Sequence, residues 1–227
     1  MANARNYAKE LDKIIVDVPE GKRLLLHSCC APCSSYVMEY LREYFELTVF
    51  YYNPNITEDV EYRKRVEEQK RLIAEYNRQV EEADFGPMHS TEKARKIEVI
   101  EGDYEPDCFY AIAKGLEKCS EGGERCFKCY ELRLRKTAEL AAKLGFDYFT
   151  TTLTISPLKN AQKLNEIGET LGASYEVAFL PSDFKKKNGY KRSIELSKEF
   201  DLYRQNYCGC VYSKVAVGVV QGEREII

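Results

Sequence analysis

The chain has 227 residues and 44% hydrophobic content, which suffices for one well-buried core, so we predict a single α/β domain over residues 1–227. No uninterrupted apolar segment approaches the roughly 20 residues that span a bilayer, and residues 1–10 lack the apolar core of a signal peptide. We therefore expect a cytoplasmic protein without membrane contact. The net charge of −3 is near neutral and excludes a strong overall field for nucleic acid, so RNA binding would need a local basic patch.

Apolar or β-branched runs alternate with helical patterns along the chain. The predicted strands cover residues 22–27, 45–52, 97–100, 147–155 and 175–180. The predicted helices cover residues 34–44, 57–80, 132–144, 160–171 and 193–200. Ser34 or Ser35 can cap the first of these helices and Thr57 the second. Gly145 and Gly172 are predicted to end the third and fourth. Residues 1–20 are predicted to form a short helix or an arm, and residues 215–220 a helix end or a strand.

This alternation predicts an α/β fold with a five-stranded, mostly parallel sheet and helices on both faces. Crossovers between parallel strands are right-handed. Ligands of open α/β sheets bind where the strand order reverses, at the carboxyl ends of the strands. We expect the exits of the first and fourth strands, at 28–33 and 150–157, to flank one such crevice.

The nine cysteines occur mainly in short groups, which points to metal or redox chemistry because cytosolic proteins rarely hold structural disulfides. Cys29-Cys30 and Cys126-x-x-Cys129 together offer four thiolates, the number that an iron–sulfur cluster or a structural zinc requires. Adjacent cysteines suit a cluster better, since they can bind two different iron atoms. The alternative is that these thiols are inert.

The remaining cysteines have more open interpretations. Cys208-Gly209-Cys210 would close a tight ring on oxidation, and strained disulfides are easily reduced. The pair is therefore either redox-active, a second set of metal ligands, or two free thiols. Cys33 is a spare ligand or a small buried residue. Cys108 and Cys119 are isolated and are interpreted as structural.

His27 ends the first strand, directly before the thiols. A histidine at such a place is either a hydrogen-bonded core residue or a ligand and proton donor. The segment after residue 184 combines cationic side chains with aromatic rings, as do proteins that bind unstacked RNA bases. Its candidate RNA-binding residues are Lys185, Lys186, Lys187, Tyr190, Lys191, Arg192 and Arg204. The alternative is a solvated run of charge. We expect the segment 184–213, a basic loop, a helix and the Cys-x-Cys motif, to pack at the site.

Separated motifs in the right order resemble the QueH family of epoxyqueuosine reductases over residues 22–213. They are HSCCAPCS at 27–34, YYNPNI at 51–56, RCFKCY at 125–130, FTTTL at 149–153 followed by Ser156-Pro157, and the segments 184–193 and 203–210. The resemblance implies an adenine nucleotide alpha hydrolase-like (HUP) fold. It also implies reduction, without cobalamin, of epoxyqueuosine at the wobble position of a tRNA substrate to queuosine, with electrons from an unidentified donor.

The same resemblance implies a [4Fe-4S] cluster bound by Cys29, Cys30, Cys126 and Cys129, and a redox-active disulfide between Cys208 and Cys210. It also allows one additional iron near the cluster, for which Cys33 or a nearby acid is a candidate ligand. Two other functions fit the residues less well. A cluster-dependent tRNA sulfur-transfer enzyme would need a phosphate loop, but cysteines stand where a glycine-rich loop would be. The other, a zinc-stabilised RNA-binding module, is non-enzymatic, and a colourless protein with stoichiometric zinc and no iron would support it.

Overall fold

Five parallel strands form one sheet in the computed structural model, which describes residues 5–85 and 93–214. The strands are β1 (Arg23–His27), β2 (Glu46–Tyr51), β3 (Glu98–Glu101), β4 (Tyr148–Thr151) and β5 (Ala178–Phe179). Their spatial order is β3-β2-β1-β4-β5, and each neighbouring pair is parallel. The predicted α/β class is confirmed, and the architecture is consistent with the HUP type. The single-domain organisation stays a prediction.

Helices cover both faces of this sheet. They are α1 (Tyr7–Asp17), α2 (Ala31–Leu41), α3 (Asp59–Glu82), α4 (Pro106–Ala113), α5 (Glu124–Leu144), α6 (Ala161–Tyr175) and α7 (Gly189–Glu199). Side chains of a strand alternate between faces, so Leu24 and Leu26 join a core cluster with α1, α2 and α3, whereas Leu25 joins another with α5 and α6. The sheet therefore separates two apolar cores.

The strand order reverses beside β1, which pairs with β2 on one edge and with β4 on the other. His27, the last residue of β1, lies opposite Thr151, the last residue of β4. A single 3-10 turn (Thr152–Ile155) continues from β4. The exits of β1 and β4 thus flank the switch point, as the sequence predicts.

Two helix caps predicted from the sequence are wrong. Helix α2 begins at Ala31 and has Cys30 as its N-cap, because Pro32 with its fixed φ suits the first turn. Ser34 therefore lies inside the helix, where its Oγ donates to the carbonyl of Ala31 at 3.1 Å, and Ser35 does the same one residue on. Thr57 does not cap α3 either, since that helix begins at Asp59 after Glu58.

Other boundaries also differ from the sequence predictions. Gly145 ends α5 in the left-handed region, as predicted, with φ of 69°. Gly172 does not end α6, which continues to Tyr175; a Cβ on Gly172 would lie 2.8 Å from the carbonyl oxygen of Val177, so the glycine allows close packing instead. Helix α7 begins at Gly189, four residues before the predicted start at Ser193.

Helix α4 was absent from the sequence predictions, because it is short and its residues lack a clear apolar period. The segment 215–220 lies outside the described residues. Within the described part of the chain, every helix is too short or too polar to cross a lipid bilayer.

Candidate metal and redox site

Three thiols meet at the turn between β1 and α2. The sulfur atoms of Cys29, Cys30 and Cys33 all lie within 4.8 Å of one another, and those of Cys29 and Cys30 are 3.9 Å apart. The cause is local: Cys30 is the N-cap of α2, and Cys33 lies one turn further on the same helix face. Cys33, a spare ligand or buried residue in the sequence interpretation, is therefore a full member of this triad.

A threonine from the 3-10 turn after β4 holds the first thiol of the triad. The backbone N–H of Cys29 donates to Oγ1 of Thr152 at 3.2 Å, and that hydroxyl lies 3.5 Å from the sulfur of Cys29. Sequence reasoning did not select Thr152, although it lies in the predicted crevice. The contact joins residues 123 positions apart in the chain.

The three thiols do not ionise alike. Hydrogen bonds from the thiols of Cys30 and Cys33 lower the pKa of Cys29, and the helix N-terminus favours a thiolate there as well. The hydrogen bond to that same sulfur raises the pKa of Cys30 to about 12, and Cys29 and Cys30 together raise the pKa of Cys33. A metal-free triad thus carries its negative charge on Cys29.

The second thiol pair, Cys126 and Cys129, lies on the first two turns of α5, as the sequence predicts. The backbone N–H of Gly122 donates to the sulfur of Cys126 at 3.3 Å. Burial raises the pKa of Cys126, and it raises the pKa of Cys129 to about 11. Burial therefore favours the protonated thiols in the metal-free pair.

The Cys-x-Cys motif is held against the end of β2. The carbonyl of Cys208 accepts from Nδ2 of Asn55 and from Nη1 of Arg65, each at 3.3 Å. Gly209 adopts φ of +111°, and a Cβ there would lie 2.8 Å from the side chain of Ile56, so the intervening residue has to be glycine. All nine cysteines are free thiols in this structure.

Two cavities bring seven of the nine cysteines together. The larger, of about 290 Å³, is lined by the thiols of Cys29, Cys30, Cys33 and Cys208. The smaller, of about 20 Å³, is lined by those of Cys126, Cys129, Cys208 and Cys210. Cys208 belongs to both cavities and so joins the triad to the helix α5 pair.

Lys159 also lines both cavities, and sequence reasoning missed it. Its Nζ lies 3.2 Å from the sulfur of Cys208. Although burial alone would lower the pKa of Lys159, its interactions with the thiol of Cys208 and the phenol of Tyr130 raise it overall, so the amine is a cation. The signal in the sequence was its position two residues after Pro157, where the predicted crevice segment ends.

Neither Cys108 nor Cys119 lines these two cavities. Cys108 lies on α4. The carbonyl of Cys119 accepts from Nη1 of Arg125 at 2.6 Å. Both cysteines can therefore serve as controls for the thiols that converge.

His27 is fully buried, and both of its ring nitrogens are engaged. Nε2 donates to the carbonyl of Tyr52 at 3.1 Å, and Nδ1 accepts from the hydroxyl of Thr151 at 2.9 Å. Desolvation, with Arg133 adding to it, lowers the pKa of His27 to about 3. The ring is neutral, and ligation or proton donation would require one of these hydrogen bonds to break.

The candidate RNA-binding residues fall into two groups. Four are in ion pairs within the protein: Lys185 with Asp183, Lys187 with Asp12, Lys191 with Glu195, and Arg192 with Glu39. The other three, Lys186, Tyr190 and Arg204, are exposed to solvent. Tyr190 and Arg204 also line the larger cavity, which places a ring and a guanidinium at the entrance to the thiols.

Known sequences identify the family. The model of the family described as "Epoxyqueuosine reductase QueH" matches residues 24–216. The chain is 42% identical over 196 residues to the epoxyqueuosine reductase QueH of Streptococcus pyogenes serotype M1, covering 86% of this chain and 72% of the relative. It is 41% identical over 219 residues to that of Staphylococcus epidermidis, covering 94% and 87%.

A more distant relative gives the same result. The epoxyqueuosine reductase QueH of Thermotoga maritima is 36% identical over 190 residues, which cover 84% of this chain and 89% of the relative. The family match includes every cysteine of the two cavities and both strands at the switch point. The chain therefore belongs to the QueH family of epoxyqueuosine reductases.

Proposed function

We propose that this protein reduces the epoxide of epoxyqueuosine in tRNA to give queuosine, without cobalamin. Membership of the QueH family supports the reaction class and the tRNA substrate. The observation that carries the proposal is the convergence of seven thiols on two adjoining cavities at the switch point of the sheet. Reduction chemistry needs electron-carrying groups beside the substrate, and these thiols supply them.

The residues fit an iron–sulfur cluster. Cys29 and Cys30 line the larger cavity and Cys126 and Cys129 line the smaller one, and the two cavities share Cys208 and Lys159; these four cysteines are the proposed ligands of a [4Fe-4S] cluster. Thiolates are the ligands that such clusters take, and the buried cations Lys159 and Arg133 would offset their negative charge. When bound, the cluster would supply electrons and an iron that polarises the epoxide oxygen.

Cys33 has a separate place in this proposal. It completes the triad within 4.8 Å of Cys29 and Cys30, so it is the thiol at hand for one additional iron. Metal analysis of the wild-type protein and of a Cys33→Ala variant tests that role. One iron fewer per chain in the variant would support it, and an unchanged iron content would contradict it.

Cys208 and Cys210 are the proposed redox pair. Removing the epoxide oxygen to leave an alkene takes two electrons and two protons and releases water. Oxidation of two thiols to a disulfide yields two electrons and two protons, so one turnover of this pair balances the reaction. An external reductant then has to reduce the disulfide before the next turnover. Lys159, a cation 3.2 Å from the sulfur of Cys208, holds that thiol towards both cavities.

The larger cavity is the proposed substrate pocket. Its volume of about 290 Å³ lies near the lower end of ligand pockets, and its walls combine rings and cations. Tyr190 and Tyr207 offer surfaces for stacking a base, and Arg204 offers a guanidinium for phosphate. The exposed Lys186 and Lys191 lie nearby on the same segment and would extend the contact with tRNA.

The test begins with anaerobically purified protein and tRNA that carries epoxyqueuosine. We expect iron and sulfide in cluster proportions and formation of queuosine, measured by nucleoside mass spectrometry. Cys126→Ala should lose iron and activity, whereas Cys119→Ala, on a thiol outside both cavities, should keep both. Cys208→Ala should keep the iron and lose turnover.

Three results would overturn the proposal. A protein with its full iron content that forms no queuosine would refute the activity. A colourless protein with stoichiometric zinc would favour a zinc-stabilised module. Loss of iron from Cys208→Ala would show that the ligands and the redox pair had been divided wrongly.

A further inference from the structure

A fully buried arginine lies beside the thiols of the smaller cavity. Arg133, on α5 one turn after Cys129, is 1% exposed. Its Nε donates to the carbonyl of Cys129 at 3.2 Å, and its Nη1 donates to Oδ1 of Asn53 at 3.4 Å. Nη2 has no hydrogen-bond partner among the described residues. A buried charge with an unsatisfied donor is costly, so its presence requires an explanation.

The surroundings of Arg133 indicate what would satisfy it. Arg133 lines the smaller cavity together with four thiols. Nε of Arg125, another buried donor of the same cavity, is likewise unpartnered in the described structure. Burial alone would lower the pKa of Arg133, but its electrostatic interactions with the thiol groups of Cys129 and Cys208 raise it overall. The cavity thus combines buried positive charge with four thiols, and two of its buried arginine N–H groups have no partner among the described residues.

We propose that Arg133 is a positioning residue that sets the reduction potential of the sulfur-bound redox centre. Reduction adds negative charge to a buried site, and a fixed positive charge beside that site stabilises the reduced form. Hydrogen bonds to sulfur act in the same direction. Arginine suits this role because its guanidinium stays protonated at every working pH. The inference rests on the redox centre of the proposed function.

Asn53 holds the charged group of Arg133 in a fixed position. Asn53 lies at the exit of β2, and its Nδ2 donates to the carbonyl of Ser28 at 2.8 Å. One amide therefore ties Arg133 to the turn that carries Cys29 and Cys30. A buried charge is screened little by salt, so its effect on the potential should be the same at low and high ionic strength.

The test compares three variants of the anaerobically purified full chain. Arg133→Met removes the charge and keeps the length of the side chain, and Arg133→Lys keeps the charge. Arg135→Met is the matched control, since Arg135 lies two residues away on the same helix, is about half exposed and pairs with Glu131. The midpoint potential of the cluster is measured by spectroelectrochemistry, with iron content and thermal unfolding as checks.

In Arg133→Met we expect the equilibrium constant for reduction of the cluster to fall at least tenfold. For a one-electron couple, this lowers the midpoint potential by about 59 mV. Arg133→Lys should keep most of the wild-type potential, and Arg135→Met should not change it. A wild-type potential in Arg133→Met would overturn the proposal. If that variant does not fold, Arg133→Gln, which keeps a polar head group without charge, takes its place.

A second measurement separates this inference from the cofactor assignment. In metal-free protein, the Cys208–Cys210 dithiol is equilibrated with glutathione buffers, and the oxidised fraction is determined by mass spectrometry. A nearby cation stabilises the reduced form of a dithiol, so Arg133→Met should make the pair more easily oxidised. If the wild type holds no cluster, the proposed cofactor is wrong, yet an unchanged dithiol equilibrium in Arg133→Met would still refute the role of Arg133.

Discussion

His27 should make the folded protein sensitive to mild acid. Its ring is fully buried and neutral, and its pKa falls to about 3 from an ordinary value of 6.5. Between these two values the unfolded chain binds a proton that the folded chain does not. Stability therefore rises with pH across this window, is fully present above pH 6.5, and is lost as the pH falls.

The size of the effect follows from linkage. The pKa of His27 in the folded state is about 3. Protonation of His27 therefore lowers the free energy of the unfolded state relative to the folded state by about 2 kcal/mol at pH 5, compared with pH 8. Replacement by glutamine removes this titration. Because the amide can donate to the carbonyl of Tyr52 but leaves the hydroxyl of Thr151 without its acceptor, His27→Gln should also cost about 1–3 kcal/mol at pH 8.

Urea unfolding of metal-free protein at pH 8 and pH 5 gives both quantities. We expect the wild type to lose about 2 kcal/mol more than His27→Gln over this interval. Carboxylates titrate equally in both proteins and cancel in the difference. His89→Gln removes the other histidine of the chain and controls for its titration. Equal losses in wild type and His27→Gln would show that the ring is not held neutral by the fold.

Two further predictions concern packing and the basic segment. Gly172→Ala should lower the free energy of unfolding by about 1–3 kcal/mol, measured with urea, because its Cβ would meet the carbonyl of Val177; unchanged stability would contradict the close approach. Arg192→Gln should cost about 2 kcal/mol through the lost ion pair with Glu39, whereas Lys186→Gln should leave stability unchanged and weaken tRNA binding with a smaller salt dependence. Equal urea midpoints of unfolding for Arg192→Gln and Lys186→Gln would refute the assignment of Arg192 to stability and of Lys186 to tRNA binding.

Much of the fold was predictable because its signals are local. The period of the apolar residues separates strands from helices within a few positions, and alternation of the two requires parallel pairing with crossovers. All five strands and their parallel pairing follow from this, whereas the expected reversal of strand order beside β1 came from the usual ligand position in open α/β sheets. Gly145 was predictable for the same reason, since a left-handed helix end favours glycine. Gly172 also follows an apolar helical run, but its role is to allow close packing against Val177. The local sequence pattern does not predict that role.

The sequence by itself also determined which thiols to consider, because their spacing within each motif is local. The tertiary structure decided which groups share a cavity. Cys33 joins the triad through the early start of α2, and Lys159 and Arg133 reach the thiols from two different elements. Their neighbours depend on strand register and helix packing across more than 100 residues, as between Cys29 and Thr152. Such distances are set by the whole fold, and no short stretch of sequence specifies them.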